Sequence, residues 1–510
     1  MNFMNDLEKT LNKENNSQKT FTENGAIAYK TSGKALLDFN FKISYYRNAD
    51  YAEIANDFVK VYYENYLLAI KYLFYLSDIR GGLGERHISR ACFLWLHNNY
   101  HEVFEKIWCL IPEYNRWDTA IMFANPIYNE DEEDRQAYSA AIAEQLVEDL
   151  KNSGEGKSIS LLAKWLPSEN ASSKESKTLA RQLQSDWGLT PRTYRRVLSS
   201  LRSYLNVVEC DMSANRWQDI DYEKVPSKAN LKYYNAFMVH DEERRKEYLS
   251  KVEHGEAVIH SRVLAPHEIV HKYTKGYYSG YLNLKPEKEL ELLWDNLPSY
   301  DLKNTLVVRD GSGSMTCGTS NICPLEVATA LAIYASEHNS NYWADKFITF
   351  SRNPKFIDLS KCNSLASKIQ LTYAEDDCSN TDIYKTMMLI LKTAVDKQYR
   401  QNELPSTILI LSDMEFDGIS FHMDETLFET IIREYAKYGY RLPKIVFWNL
   451  SQNGNNVIPL QQNSYGLILI SGFSTTLFEM VMSNEIDPYK ALVKILNSER
   501  YNLIEEYLED

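Results

Sequence analysis

Positive charge is in short supply in this sequence: 56 Lys and Arg stand against 70 Asp and Glu, a net charge of −14 over 510 residues. That balance argues against indiscriminate nucleic-acid binding, while leaving room for a local basic surface. Cysteine is scarce as well. The seven present form no C-x-x-C pair, and an odd count suits reduced thiols rather than a disulfide framework. Cys317 and Cys323 flank a loop at a spacing that matches no zinc knuckle. No stretch approaches the run of about eighteen apolar residues that a membrane-spanning helix needs. The polar, mixed-charge residues Met1 to Asn16 do not read as a secretory leader, so the expected location is cytoplasmic. What remains is a globular composition, 44% hydrophobic and 25% charged, at a length that predicts two or three domains.

Residues 1–30, rich in Asn, Lys, Glu and Thr, read as a flexible arm. From Asp50 onward the pattern turns helical. Tyr51, Ile54, Phe58, Val61, Tyr62 and Tyr66 recur at the three- and four-residue steps of a single buried stripe. Helical segments separated by short breaks continue to about Tyr300, a rhythm that suits stacked helix pairs of the HEAT-like solenoid type. After Pro298 strands and helices alternate. The strands are Leu306–Val308, Phe347–Phe350, Thr407–Leu411, Ile445–Trp448 and Leu467–Ile470. The helices are Pro324–His338, Asp382–Ala394, Leu427–Tyr438 and Pro488–Glu506. Uninterrupted apolar strands alternating with helices predict a parallel sheet covered on both faces. The expected fold class is therefore α and α/β, with a helical-repeat domain over 31–300 and a doubly wound domain over 301–510.

The strand Leu306-Val307-Val308 delivers Arg309-Asp310-Gly311-Ser312-Gly313-Ser314 to the carboxyl edge of that sheet, where ligands of such folds bind. No lysine follows the glycines as a phosphate-binding loop requires. Ser312 lacks the flanking glycines of a hydrolase nucleophile elbow. An aspartyl-phosphate phosphatase would place a second carboxylate where Ser312 stands. A flexible Gly/Ser linker would not usually follow a buried strand. Alternating Asp310, Ser312 and Ser314 instead suit a hard cation in an oxygen cage. Two further strand ends supply oxygens: Thr381 at a helix start and Asp413 just past Ile408–Leu411. Each alone has a plain structural reading, a helix cap and a turn residue.

Asp310, Ser312, Ser314, Thr381 and Asp413 together resemble the metal-ion-dependent adhesion site of von Willebrand factor A domains, which implies Mg²⁺ or Mn²⁺ and a protein ligand whose acidic side chain completes the site. Further stretches resemble a little-characterised (DUF2828-type) family that joins a helical domain to such an A domain. They are Asp78-Ile79-Arg80-Gly81-Gly82-Leu83-Gly84-Glu85-Arg86, Leu162 to Ser168, Tyr194 to Ser199, Leu205 to Glu209 and Ile220 to Ser227. In plan that family is similar to Ro and other TROVE proteins. The resemblance implies a non-enzymatic ribonucleoprotein scaffold, with a small non-coding RNA as a possible partner.

The residues lend that partner some support of their own. Arg192, Arg195, Arg196 and Arg202 are interleaved with Tyr194 and Tyr204, and no acidic residue falls between Gly188 and Leu205. Arginines among aromatics suit phosphate contact and base stacking, although a solvated helix face reads the same way. A protein-interaction scaffold without RNA is one alternative. The other is a zinc metalloprotease, because His267-Glu268-Ile269-Val270-His271 spells H-E-x-x-H. Pro266 and Gly276 would confine that helix to about one and a half turns, and Pro at its start with Glu in the first turn explains the same letters. The glycines of Asp78–Arg86 read as turn residues permitting positive φ. His97 and His101 lie one helical turn apart with no obvious third ligand, and read as core and surface histidines.

Overall fold

A computed structural model describes residues 19–21, 27–275, 282–302, 304–316, 322–350, 354–376, 382–414, 427–451, 467–471 and 487–509. The chain divides into two compact units, Met1–Ile70 with Ser261–Glu499 and Lys71–His260 with Arg500–Asp510. The first is α/β and the second is helical, so the fold is α and α/β. No helix among the described residues is long and apolar enough to cross a membrane.

The α/β unit is built on a six-stranded sheet. In chain order, after a short antiparallel pair β1 (Lys19–Phe21) and β2 (Ile27–Tyr29), its strands are β3 (Thr305–Asp310), β4 (Lys346–Phe350), β5 (Phe356–Asp358), β6 (Thr407–Ser412), β7 (Lys444–Asn449) and β8 (Leu467–Ser471). They lie in the order β5-β4-β3-β6-β7-β8. All neighbours are parallel except the edge pair β4–β5. Every residue of β3 and β6 is buried, which is why Leu306–Val308 and Ile408–Leu411 read as continuous apolar runs. On one face, Val308, Ile408, Ile410, Ile445 and Phe447 share a core with Met387, Leu391, Ile431 and Tyr435 of the flanking helices. Helix Pro324–Glu337, buried along nearly its whole length, packs on β3, β4 and β6.

Three expectations meet a different arrangement. The division at residue 300 is not where the compact units part, since 31–70 and 261–300 lie with the sheet. The reason is packing: Leu37 and Phe41 of helix Ala35–Phe41 enter the sheet's core cluster, and helix Pro266–Thr274 lies on helix Pro324–Glu337. The arm expected over 1–30 contains the β1–β2 hairpin. The terminal helix is broken into Pro488–Leu496 and Asn502–Glu509.

The helical unit runs from helix to helix without a strand among its described residues. Its first turn, Asp78 to Gly84, closes on a carboxylate. Asp78 is fully buried and accepts hydrogen bonds from the backbone N–H of Arg80 (2.9 Å) and Gly81 (3.1 Å), from Arg500 Nη2 (2.8 Å) and Nε, and from the Tyr501 hydroxyl (3.1 Å).

Candidate metal centre

The sheet grows outward from β3 in both directions, to β4 and β5 on one side and to β6, β7 and β8 on the other. The carboxyl ends of β3 and β6 therefore flank the switch point, the crevice where ligands of open parallel sheets bind. Arg309 is paired in register with Leu411, so Asp310 and Asp413 emerge from adjacent strands at the same edge.

Asp310 is completely buried, and Asp413 is 5% exposed. Asp310 Oδ1 accepts the backbone N–H of Ser312 (2.8 Å), and Oδ2 accepts the hydroxyl of Ser412 (2.6 Å). The hydroxyls of Ser312 and Ser314 lie 3.0 Å apart. Burial, and next the charge of Asp413, push the Asp310 carboxyl up to about 7. The Ser412 and Ser312 bonds pull the other way. After Asp413, Met414 takes a left-handed φ of 69°, a conformation that a non-glycine residue adopts rarely; its N–H donates to Ser412 Oγ (3.0 Å). Two buried carboxylates with two hydroxyls fit a divalent cation such as Mg²⁺ or Mn²⁺, since the donors are all oxygen. Thr381 lies outside the described residues.

Arg309, on the opposite face of β3, is the residue that motif reasoning overlooked. It is fully buried and grips Asp376 through Nη1 and Nη2, both at 2.9 Å, with Thr329 Oγ1 also 2.9 Å from Nη2. Gly311 makes room for this clamp, because a Cβ there would lie 1.9 Å from Asp376 Oδ1. The signal in the sequence was an arginine inside a buried strand, which demands a carboxylate partner.

The arginine-rich helix Pro191–Tyr204 divides into two sets. Tyr194 is fully buried, and its hydroxyl donates to Pro167 O at 2.8 Å, so it offers no face to a base. Arg202 is spent on Ala163 O, Leu166 O and Ser168 Oγ at 2.8–2.9 Å. Two of the family-like stretches are thus partners in one packing interface. Arg192, Arg195 and Arg196 are exposed, with Arg195 near Glu169 (3.4 Å). Tyr204 is 43% exposed and donates to Lys157 O.

The H-E-x-x-H letters are used by the helix and its packing. Glu268 Oε2 accepts the backbone N–H of Ala265 at 2.9 Å and caps helix Pro266–Thr274. His267 is buried, and His271 Nδ1 sits 3.0 Å from Glu326 Oε1. A carboxylate committed to the helix N-terminus is not placed as a general base.

Residues 22–103 and 127–297 match the family described as a domain of unknown function, DUF2828. Residues 304–502 match a second such family, DUF7788. An uncharacterised protein of Acanthamoeba polyphaga mimivirus is 30% identical over 513 residues, covering 94% of this chain and 87% of the relative. Among solved structures, the Deinococcus radiodurans RO (RSR) protein aligns over 85% of this chain and 91% of its own, at 13% identity and a TM-score of 0.41. This chain belongs to the same little-characterised family as that mimivirus protein, and in this chain a DUF2828 region precedes a DUF7788 region.

Proposed function

We propose that this chain is a non-enzymatic binding scaffold whose α/β unit captures an acidic group through a divalent cation, in the manner of a von Willebrand factor A domain. Asp310, Ser312, Ser314, Asp413 and Thr381 would hold the ion. When bound, the cation supplies a positive charge with exchangeable positions that a partner's carboxylate can enter. The supporting observation is the buried, hydrogen-bonded Asp310 beside Asp413 at the switch point of the sheet. Without the ion, Asp310 and Asp413 would repel an anionic group at this edge, so affinity for an anionic ligand would depend on the metal.

Thermal unfolding in EDTA and with rising Mg²⁺ or Mn²⁺ tests this. Wild-type protein should gain stability as the metal saturates, because binding to the native state alone adds RT ln(1 + [L]/Kd). The double variant Asp310→Ala, Asp413→Ala should keep its circular dichroism and lose the gain. An equal gain in the double variant would place the ion elsewhere and end this reading.

RNA is a second reading, favoured by one observation: Arg192 and Arg196 are exposed on one helix and have no ion-pair partner among the described residues. Single-stranded RNA affinity would then fall with salt at a slope of about −0.7 per neutralised phosphate. Replacing Arg192, Arg195 and Arg196 by Gln should flatten that slope. Arg202 is left intact because its loss would unpack the helix. Wild-type protein without salt-sensitive RNA binding would remove this reading and leave a scaffold for proteins.

A further inference from the structure

The helical unit brings together a group of ligand atoms that the sequence spreads over 37 positions. His97 lies near the end of helix Arg86–Asn99, His101 opens helix His101–Trp108, and Asp134 sits in the first turn of helix Glu132–Gly154. One ligand atom from each lies within 4.8 Å of the other two, and among the described residues this is the one such trio of His, Cys, Asp or Glu. His97 Nε2 is 2.7 Å from Asp134 Oδ2, and His101 Nε2 is 3.4 Å from Asp134 Oδ1. Glu105 Oε1, one turn beyond His101, is a further 3.4 Å from His101 Nε2. In a tetrahedral site with metal–ligand bonds of about 2.0–2.1 Å, ligand atoms stand about 3.3 Å apart. Both separations made by His101, to Asp134 and to Glu105, already have that length, while His97 and Asp134 stand closer, at hydrogen-bond distance.

The surroundings hold these atoms as outer partners hold metal ligands. His97 Nδ1 is 2.9 Å from Asn98 Oδ1, a contact that orients the ring with Nε2 facing Asp134 Oδ2. Asp134 Oδ2 is fixed by Asn129 Nδ2 (2.8 Å), which also donates to Phe123 O (3.0 Å). Phe104 and Phe123, with ring centroids 5.2 Å from that of His97, wall the site on its inner side. The ion-pair partners of Asp134 among the described residues are these two histidines. With both rings neutral, Asp134 and Glu105 leave two negative charges for one divalent ion to balance. His101 and Glu105 are 43% and 56% exposed, so the outer side is open to solvent.

We infer that His97, His101, Asp134 and Glu105 form a binding site for a late first-row divalent cation of the Zn²⁺ type, tying the His101 helix to the start of helix Glu132–Gly154. Imidazole with carboxylate selects such ions over Mg²⁺, which distinguishes this site chemically from the oxygen cage at Asp310. Its residues share nothing with that cage, so either can fail without the other.

The test is equilibrium binding of Zn²⁺, and of Co²⁺ as a visible reporter, to the full chain. Wild-type protein should bind one Zn²⁺ at micromolar concentration or below in the presence of millimolar Mg²⁺, and its Co²⁺ form should show the intense absorption of a tetrahedral site. His101→Gln should weaken Zn²⁺ binding at least tenfold and abolish that absorption. Glu105→Gln, at an exposed position, should weaken it severalfold. His254→Gln, at an exposed histidine elsewhere, should change nothing, and the Asp310→Ala, Asp413→Ala variant should bind Zn²⁺ as the wild type does. Equal Zn²⁺ affinity in wild type and in both site variants overturns the inference. So does a loss in His254→Gln as large as in His101→Gln, or binding only at millimolar Zn²⁺.

Discussion

A carboxylate with no solvent access is costly when ionised, and Asp310 carries that cost at the centre of the sheet. Its raised carboxyl implies that metal-free protein is less stable at neutral pH than a variant without the charge. Asp310→Asn should therefore be more stable than wild type in EDTA at pH 7.5, because burial and the neighbouring Asp413 charge raise the Asp310 carboxyl above its ordinary range. The sign follows from proton uptake. Above the ordinary carboxylate range the buried Asp310–Asp413 pair holds a proton that the unfolded chain has lost, so wild-type stability falls as pH rises toward neutrality, and the advantage of Asn closes as pH drops. Saturating Mg²⁺ should reverse the order at pH 7.5; chemical denaturation with and without EDTA reads both effects. The Arg309–Asp376 clamp gives a second prediction. Arg309→Met should cost about 3–5 kcal/mol by leaving Asp376 buried and unpaired, and Arg309→Met with Asp376→Leu should recover most of it.

Elements buried on both sides announced themselves, and elements defined by partners did not. Strands β3, β4, β6, β7 and β8 fall within a residue or two of the expected limits; for β3, β6 and β7 the reason is cover on both faces, which makes their central residues apolar. Edge strand β5 escaped notice, since only Ile357 of its three residues is buried. Asp310 and Asp413 were legible for the same reason, as polar residues ending apolar runs. Arg309–Asp376 was not, because an ion pair across 67 residues leaves no periodic trace. The Asp78–Arg86 turn shows how far local reading carries. Positive φ was the expected role of its glycines, yet only Gly84 has it, at 66°. Gly82 is needed for a different reason, since a Cβ there would lie 2.0 Å from Tyr75 O, the acceptor of the Leu83 N–H. Gly82→Ala should thus cost more than Gly84→Ala, about 3 kcal/mol against about 1. Urea midpoints of the two variants decide it, and the opposite ranking would mean that backbone handedness, not close approach, governs the turn.

At the scale of the whole chain, sequence order and compactness part company. Helical periodicity identifies a helix but carries no record of which core it serves, so residues 31–70 and 500–510 could not be assigned from their pattern alone. The last eleven residues belong with the helical unit, and what they do there is charge compensation. Lys71, 3% exposed at its side chain, pairs with Glu505 at 2.7 Å. Arg500 and Tyr501 complete the shell of Asp78, and Tyr114 donates to Arg500 O at 2.7 Å while its ring stacks on Tyr501 at 5.7 Å. Removing residues 500–510 therefore strands one buried carboxylate and one buried ammonium at once. Each uncompensated charge costs about 3–5 kcal/mol, comparable to the whole stability of an ordinary domain at about 5–15 kcal/mol. Hydrogen exchange on the truncated chain should show protection lost across 71–260 and kept in β3 and β6. Asp78→Leu in the full chain leaves Arg500, a third exposed, able to turn to water, and should cost less than the truncation. Unchanged exchange over 71–260 in the truncated chain would mean that the helical unit closes its own core and that the final helix is an appendage.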